Sequence, residues 1–149
     1  MSKIKNLIAG FAGAVALNLL HETLKHKSKN MPRIDLLGEN ALQKTLGFFG
    51  EGISDKDTLY KATLAGDIVS NTIYYSMIGA GEAKYLWPKA LFLGFSAGIG
   101  AVKLPEPMGL NPRPVTKSDQ VKALTVGYYV FGAIVTAIVL NKLNKKTII

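Results

Sequence analysis

The sequence predicts an all-α, polytopic membrane protein with four transmembrane helices plus one amphipathic interfacial helix, built as a single integral membrane domain over residues 1–149. Three observations predict it. Four stretches, each close to the roughly twenty residues that a spanning helix needs, are nearly free of charge. A soluble helical domain would carry charges on a solvent face every few residues, and in these stretches they are missing. The Lys and Arg residues behind the formal charge of +8 flank the apolar stretches instead of gathering on one surface, as membrane-anchoring charges do. Nucleic-acid binding calls for basic residues clustered with aromatics on one face, so it is not expected. With no cysteine, the chain has no disulfide framework, thiol nucleophile or Cys-ligated metal.

The first span is expected at about 4–24. Lys3 and Lys5 precede an apolar run from Leu7 to Leu20 in which Gly10, Gly13 and several alanines permit close helix packing. A signal peptide cleaved at Ala14-Val15-Ala16 is the competing reading, but it leaves an apolar region of only about seven residues. An uncleaved helix is expected instead. A basic exit through Lys25, Lys27 and Lys29 leads to an amphipathic segment at about 33–49. There Ile34, Leu37, Ala41, Leu42, Phe48 and Phe49 share a side, opposed by Glu39, Asn40, Gln43 and Lys44. It is too polar to span and is expected to lie in the interface or cap the bundle.

Ser54, with Asp57 three residues on, offers a capping box for the second span at about 57–81. Tyr85 and Trp87 mark an interface, where amphipathic rings settle. Pro88 suits the first turn of the third span at about 86–104, whose Gly94 and Gly98 form a GxxxG contact face. Residues 103–114 contain Pro105, Pro107, Pro112 and Pro114 and are expected as a rigid loop without helix. Thr116 with Asp119 is placed to cap the fourth span, at about 120–141, and Lys142, Lys145 and Lys146 follow it.

Four spans put both termini and the 82–88 turn on one side of the membrane, with the 25–58 segment and the proline loop on the other. Eleven of the 18 Lys and Arg fall on the second side, so the positive-inside rule leans toward its being cytoplasmic.

Asp67 is the polar residue that stands out. It lies inside an apolar run, roughly 9–12 Å along its helix, on a face shared with Tyr60, Thr63, Ser70, Asn71 and Tyr74. An ionisable group in a spanning helix is expensive and by default marks a site. At a similar depth Asn18, His21, Glu22 and Lys25 share a face of the first helix, Lys103 ends the third, and Glu106 follows in the loop. A polar cleft of Asn18, His21, Glu22, Asp67, Asn71, Tyr74, Lys103 and Glu106 is therefore expected in one half of the membrane.

The chemistry of these groups reads several ways. Asp67 with Asn71 suits a proton relay, a cation site or a catalytic carboxylate; the plainer alternative is a structural pair satisfied by His21 or Lys103. His21 and His26 are five apart rather than the four that would put both on one helix face, so a zinc-hydrolase site is not expected. Arg33 and Arg113 are candidates for lipid-phosphate or other anion contact, or hold their loops in place. No metal or cofactor is implied, and Gly-rich phosphate loops and a serine nucleophile elbow are absent.

Leu86-Trp87-Pro88-Lys89-Ala90-Leu91, a Gly- and Ala-rich span, and then Pro107-Met108-Gly109-Leu110-Asn111-Pro112 resemble the YagU-like family of small bacterial inner-membrane proteins. In that family too a Trp-led, glycine-rich helix runs into a Pro-Met-Gly-Leu-type loop. The likeness covers about residues 74–114 and implies an inner- or plasma-membrane location. Three functions follow as expectations: an accessory or structural membrane subunit with a polar cleft, a small proton-linked transporter or channel using Asp67, and an enzyme acting on lipid headgroups through His21 and Glu22. Membrane lipids are the expected partners, with a homo-oligomer or a larger membrane complex as the candidate assembly.

Overall fold

The side-chain oxygen of Ser2 accepts a hydrogen bond from Lys5 N–H (3.2 Å) and so starts the first helix, α1, over Lys3–Leu24. In the structure, a computed structural model describing residues 2–146, every regular element is helical. After α1 come α2 (Ile34–Phe48), α3 (Lys56–Ser76), α4 (Leu86–Lys103), the short α5 (Arg113–Thr116) and α6 (Asp119–Lys146). The side chain of Lys146, together with Met1 and residues 147–149, lies outside the described residues.

Three local details differ from expectation. Asp55, not Ser54, caps α3, accepting from Thr58 N–H at 3.0 Å. The proline-rich segment is not wholly loop, because Arg113 and Pro114 open the single turn α5, where proline's missing N–H costs nothing. Ser118, not Thr116, accepts from Val121 N–H (3.2 Å) at the start of α6, while the Thr116 hydroxyl donates back to Pro112 O (2.8 Å).

The four long helices form a row in the order α3, α1, α6, α4, with α1 and α6 in the middle. Small residues let them approach. A Cβ on Gly98 of α4 would sit 2.6 Å from Val126 Cα of α6, and one on Gly94 would sit 2.9 Å from Ala133 Cβ. Gly10 of α1 abuts the backbone of α3 at Thr72 and Ser76. Gly13 and Gly132 face each other across α1 and α6 and leave room for the ring of Tyr75. That ring is fully buried, and its hydroxyl donates to Tyr129 O at 2.8 Å. The core thus combines Leu, Ile and Val side chains with Gly, Ala, Thr and Tyr at the close approaches. At one end the row curls: the Tyr74 hydroxyl donates to Leu93 O of α4 (2.8 Å), and the turn Met77–Gly79 touches α1, α3, α4 and α6.

At the other end α2 packs on α3 and reaches α5. It is tied to the proline-rich segment at three points: Arg33 N–H to Pro114 O (3.0 Å), Lys44 Nζ to Met108 O (2.7 Å), and Asn111 N–H to Asn40 Oδ1 (3.1 Å). Its apolar side is split. Ile34 and Leu37 are buried, whereas Phe48 and Phe49 project outward edge to face. Gly50, at φ +76°, turns the chain away, a conformation that only glycine adopts without strain.

Two helices, α1 and α6, are long and apolar enough to cross a membrane. The other two fall short in composition: α3 through Lys61, Asp67 and its amides and hydroxyls, α4 through Pro88, Lys89 and Lys103.

Candidate functional site

Between α1, α2 and α3 lies a cavity of about 230 Å³. Helix α1 contributes Leu17, Asn18, His21 and Glu22, α2 contributes Ile34, Asp35, Gly38 and Leu42, and α3 contributes Tyr60, Thr63, Leu64, Gly66, Asp67 and Ser70. The helical repeat explains the set. Leu17, Asn18 and His21 recur at three- and four-residue spacing, as do Tyr60, Thr63, Asp67 and Ser70, so each group forms one stripe.

His21 is buried and joins two helices. Its Nε2 accepts the N–H of Ile34 at 3.1 Å, satisfying a donor in the first turn of α2 that no side chain within α2 caps. That bond needs a lone pair on Nε2, which puts the imidazole proton on Nδ1, facing Glu22 Oε1 at 3.6 Å. Asp35 Oδ1 is 3.4 Å from Nε2, and the edge of the Tyr128 ring packs beside the imidazole.

Two cations neutralise the mouth of the cavity. Arg33 donates to both oxygens of Asp35, at 3.0 and 2.8 Å. Lys25 sits 2.7 Å from Glu22 and 3.4 Å from Asp35, with its ammonium 4.8 Å from the centre of the Tyr60 ring. Burial alone would push the Asp35 carboxyl up. The paired hydrogen bonds and positive charge of Arg33 outweigh it and hold the group well below the usual carboxylate range. For Lys25, burial acts downward, but Glu22 and Asp35 outweigh it and raise its pKa.

Deeper in, Asp67 has a different environment. Asn71 Nδ2 donates to its Oδ1 at 3.0 Å and Asn18 faces the same carboxylate, so both partners are amides. One turn away the Thr63 hydroxyl is buried without a hydrogen-bond partner among the described residues.

Of the residues singled out from the sequence, Asn18, His21, Glu22 and Asp67 line this one cavity, and Asn71 supports Asp67 from behind. The others lie elsewhere. Tyr74 is turned toward α4, Lys103 is exposed at the end of α4, and Glu106 is exposed in the proline-rich segment. Arg33 belongs to the ion pair at the mouth, and Arg113 is exposed at the start of α5. Asp35 was not among those residues, and Tyr60 and Thr63 were placed on the face of Asp67 but not in the cleft. The three- and four-residue spacing of Tyr60, Thr63 and Asp67 was a usable signal, whereas Asp35 reaches the site only through the docking of α2.

Among the described residues no three His, Cys, Asp or Glu side chains are grouped to hold a metal ion. No protein-family model, curated protein or solved structure matches the chain.

Proposed function

We propose that this is an integral membrane protein in which α1, α3, α4 and α6 each cross the bilayer, α2 lies at one interface, and the cleft beneath α2 serves binding in an accessory or structural subunit rather than catalysis. The observation that carries this is an outward-facing apolar belt on all four long helices. Phe11 on α1, Val69 and Ile73 on α3, Phe92, Phe95 and Ile99 on α4, and Phe131 and Ile138 on α6 are all exposed, while the contacts between helices use glycine, alanine and threonine. Water disfavours so much contiguous exposed apolar surface, whereas hydrocarbon accepts it and leaves small-residue packing to join the helices. The polar stripe of α3 faces the cavity, so α3 presents lipid with a more apolar surface than its composition suggests. The resemblance to the YagU-like family supports a bacterial inner- or plasma-membrane location.

A binding role fits better than lipid-headgroup chemistry because the candidate acid and base are committed: His21 to the Ile34 N–H and Glu22 to Lys25. The chain has no native cysteine, so single introduced cysteines report topology directly. With four spans, cysteines at Ser54 and Asn111 label from one side of the membrane and one at Glu82 from the other. Labelling of all three from the same side overturns the proposal.

A second reading, proton-linked transport, is favoured by the position of Asp67 with only neutral partners in the cavity. It requires a liposome flux that Asp67→Ala abolishes. A flux that survives this change removes it.

A further inference from the structure

Building on the reading of the cleft as a binding site in a membrane protein, we propose that it receives a primary alkylammonium group, with the nitrogen between Asp67 and Thr63 and the alkyl chain against Leu17, Leu42 and Leu64. Four observations lead there. The first is charge. Three carboxylates line the cavity, Glu22, Asp35 and Asp67, and among the described residues two cations, Lys25 and Arg33, stand against them. His21 acts as a neutral acceptor toward Ile34. One negative charge, on Asp67, has amide partners and no cation, so a monovalent cation completes the set.

The second is the unpartnered hydroxyl. Thr63 is 7% exposed and lines the cavity, and its Oγ1 has no hydrogen-bond partner among the described residues. A buried polar atom without a partner is destabilising, and a ligand that supplies one removes the penalty. The third is spacing. Thr63 and Asp67 are four apart on α3, so their Cβ atoms are about 5–6 Å apart on one face. The three N–H donors of a single primary ammonium bridge that gap, whereas a quaternary ammonium has no donor for Thr63.

The fourth is the remaining wall. It is largely aliphatic, which suits an alkyl chain better than a hydrated inorganic ion. The face of Tyr60 at its rim already accommodates the ammonium of Lys25. The same ammonium chemistry is carried by soluble alkylamines and by the phosphatidylethanolamine headgroup, and the cleft, covered by the interfacial helix, lies at the depth where headgroups meet helix ends.

The test uses the full chain in phosphatidylcholine nanodiscs for calorimetric titration of n-hexylammonium, 1-hexanol and hexanoate, with insertion checked by opposite-side labelling at Ser54 and Glu82 in sealed phosphatidylcholine liposomes. Saturable binding of hexylammonium alone is expected. Asp67→Asn, which keeps the shape, should weaken it about tenfold or more, and the isosteric Thr63→Val should weaken it several-fold, both with unchanged helical circular dichroism. Hexanol binding as well as hexylammonium, or an Asp67→Asn protein binding it unchanged, overturns the proposal. Repeating the titration in phosphatidylethanolamine nanodiscs separates the sources. Suppressed hexylammonium binding there identifies the lipid headgroup, and undiminished binding identifies a soluble amine; both uphold the ammonium site. Loss of opposite-side labelling is the separate failure of the membrane reading and overturns both.

Discussion

At the level of single residues, His21 and Asp35 together decide how α2 is held. The imidazole accepts the Ile34 N–H from across a helix boundary, so His21→Ala leaves a buried donor without a partner. Such a loss is expected to destabilise the protein by about 1–3 kcal/mol, read as a lowered melting temperature in detergent. His21→Gln, whose amide oxygen can accept the same bond, is expected to recover part of it. Asp35 adds a pH dependence whose sign is fixed. Its carboxyl is held low in the folded protein by Arg33, so the unfolded chain binds the proton more readily. The resulting stabilisation is present above the ordinary carboxylate value of about 3.9 and is lost as pH falls below it. Melting curves taken between neutral and acid pH should show this loss in the native protein and a shallower one in Asp35→Asn. Equal slopes would remove Asp35 as its source.

At the level of helices, the glycines divide into contacts and spacers. Gly98 lies against the backbone of Val126, so Gly98→Ala forces α4 off α6 and is expected to cost about 1–3 kcal/mol. Gly127 on α6 faces open space, and Gly127→Ala is expected to gain up to about 1 kcal/mol from the better helix former. Reversible unfolding of the two variants in mixed micelles checks the contrast, and equal effects would contradict the packing described. The Gly94–Gly98 face was legible in the sequence because small residues at a four-residue spacing mark a contact surface whatever it touches. Its partner was not legible, since nothing in the spacing distinguishes α6 from the other helices. Phe48 and Phe49 show the same limit: the helical wheel put them with Ile34 and Leu37, but α2 outruns the surface it packs on and leaves them outside.

At the level of the whole molecule, the order and starts of the long helices could be read from apolar runs, prolines and glycines, because those signals are local, whereas α3 ends at Ser76 rather than 81 and α6 runs past 141 to Lys146. The lateral order α3, α1, α6, α4 depends on tertiary packing, and it is what assembled the site. It keeps α1 beside α3, which joins Asn18 and His21 to Asp67. It also puts two helices between the cavity and α4, so Lys103 shares a depth with the cleft without reaching it. Depth along a helix is therefore readable from sequence, and neighbourhood is not. That four helices have hydrocarbon as their solvent is the claim on which the other proposals stand. Spin labels at Phe11, Val69, Phe92 and Phe131, one on the outer face of each long helix, test it most directly by power-saturation paramagnetic resonance in liposomes. All four should be accessible to oxygen and shielded from a water-soluble nickel chelate, with a label at Ser54 showing the opposite. Chelate accessibility at these four positions matching that at Ser54 would contradict it.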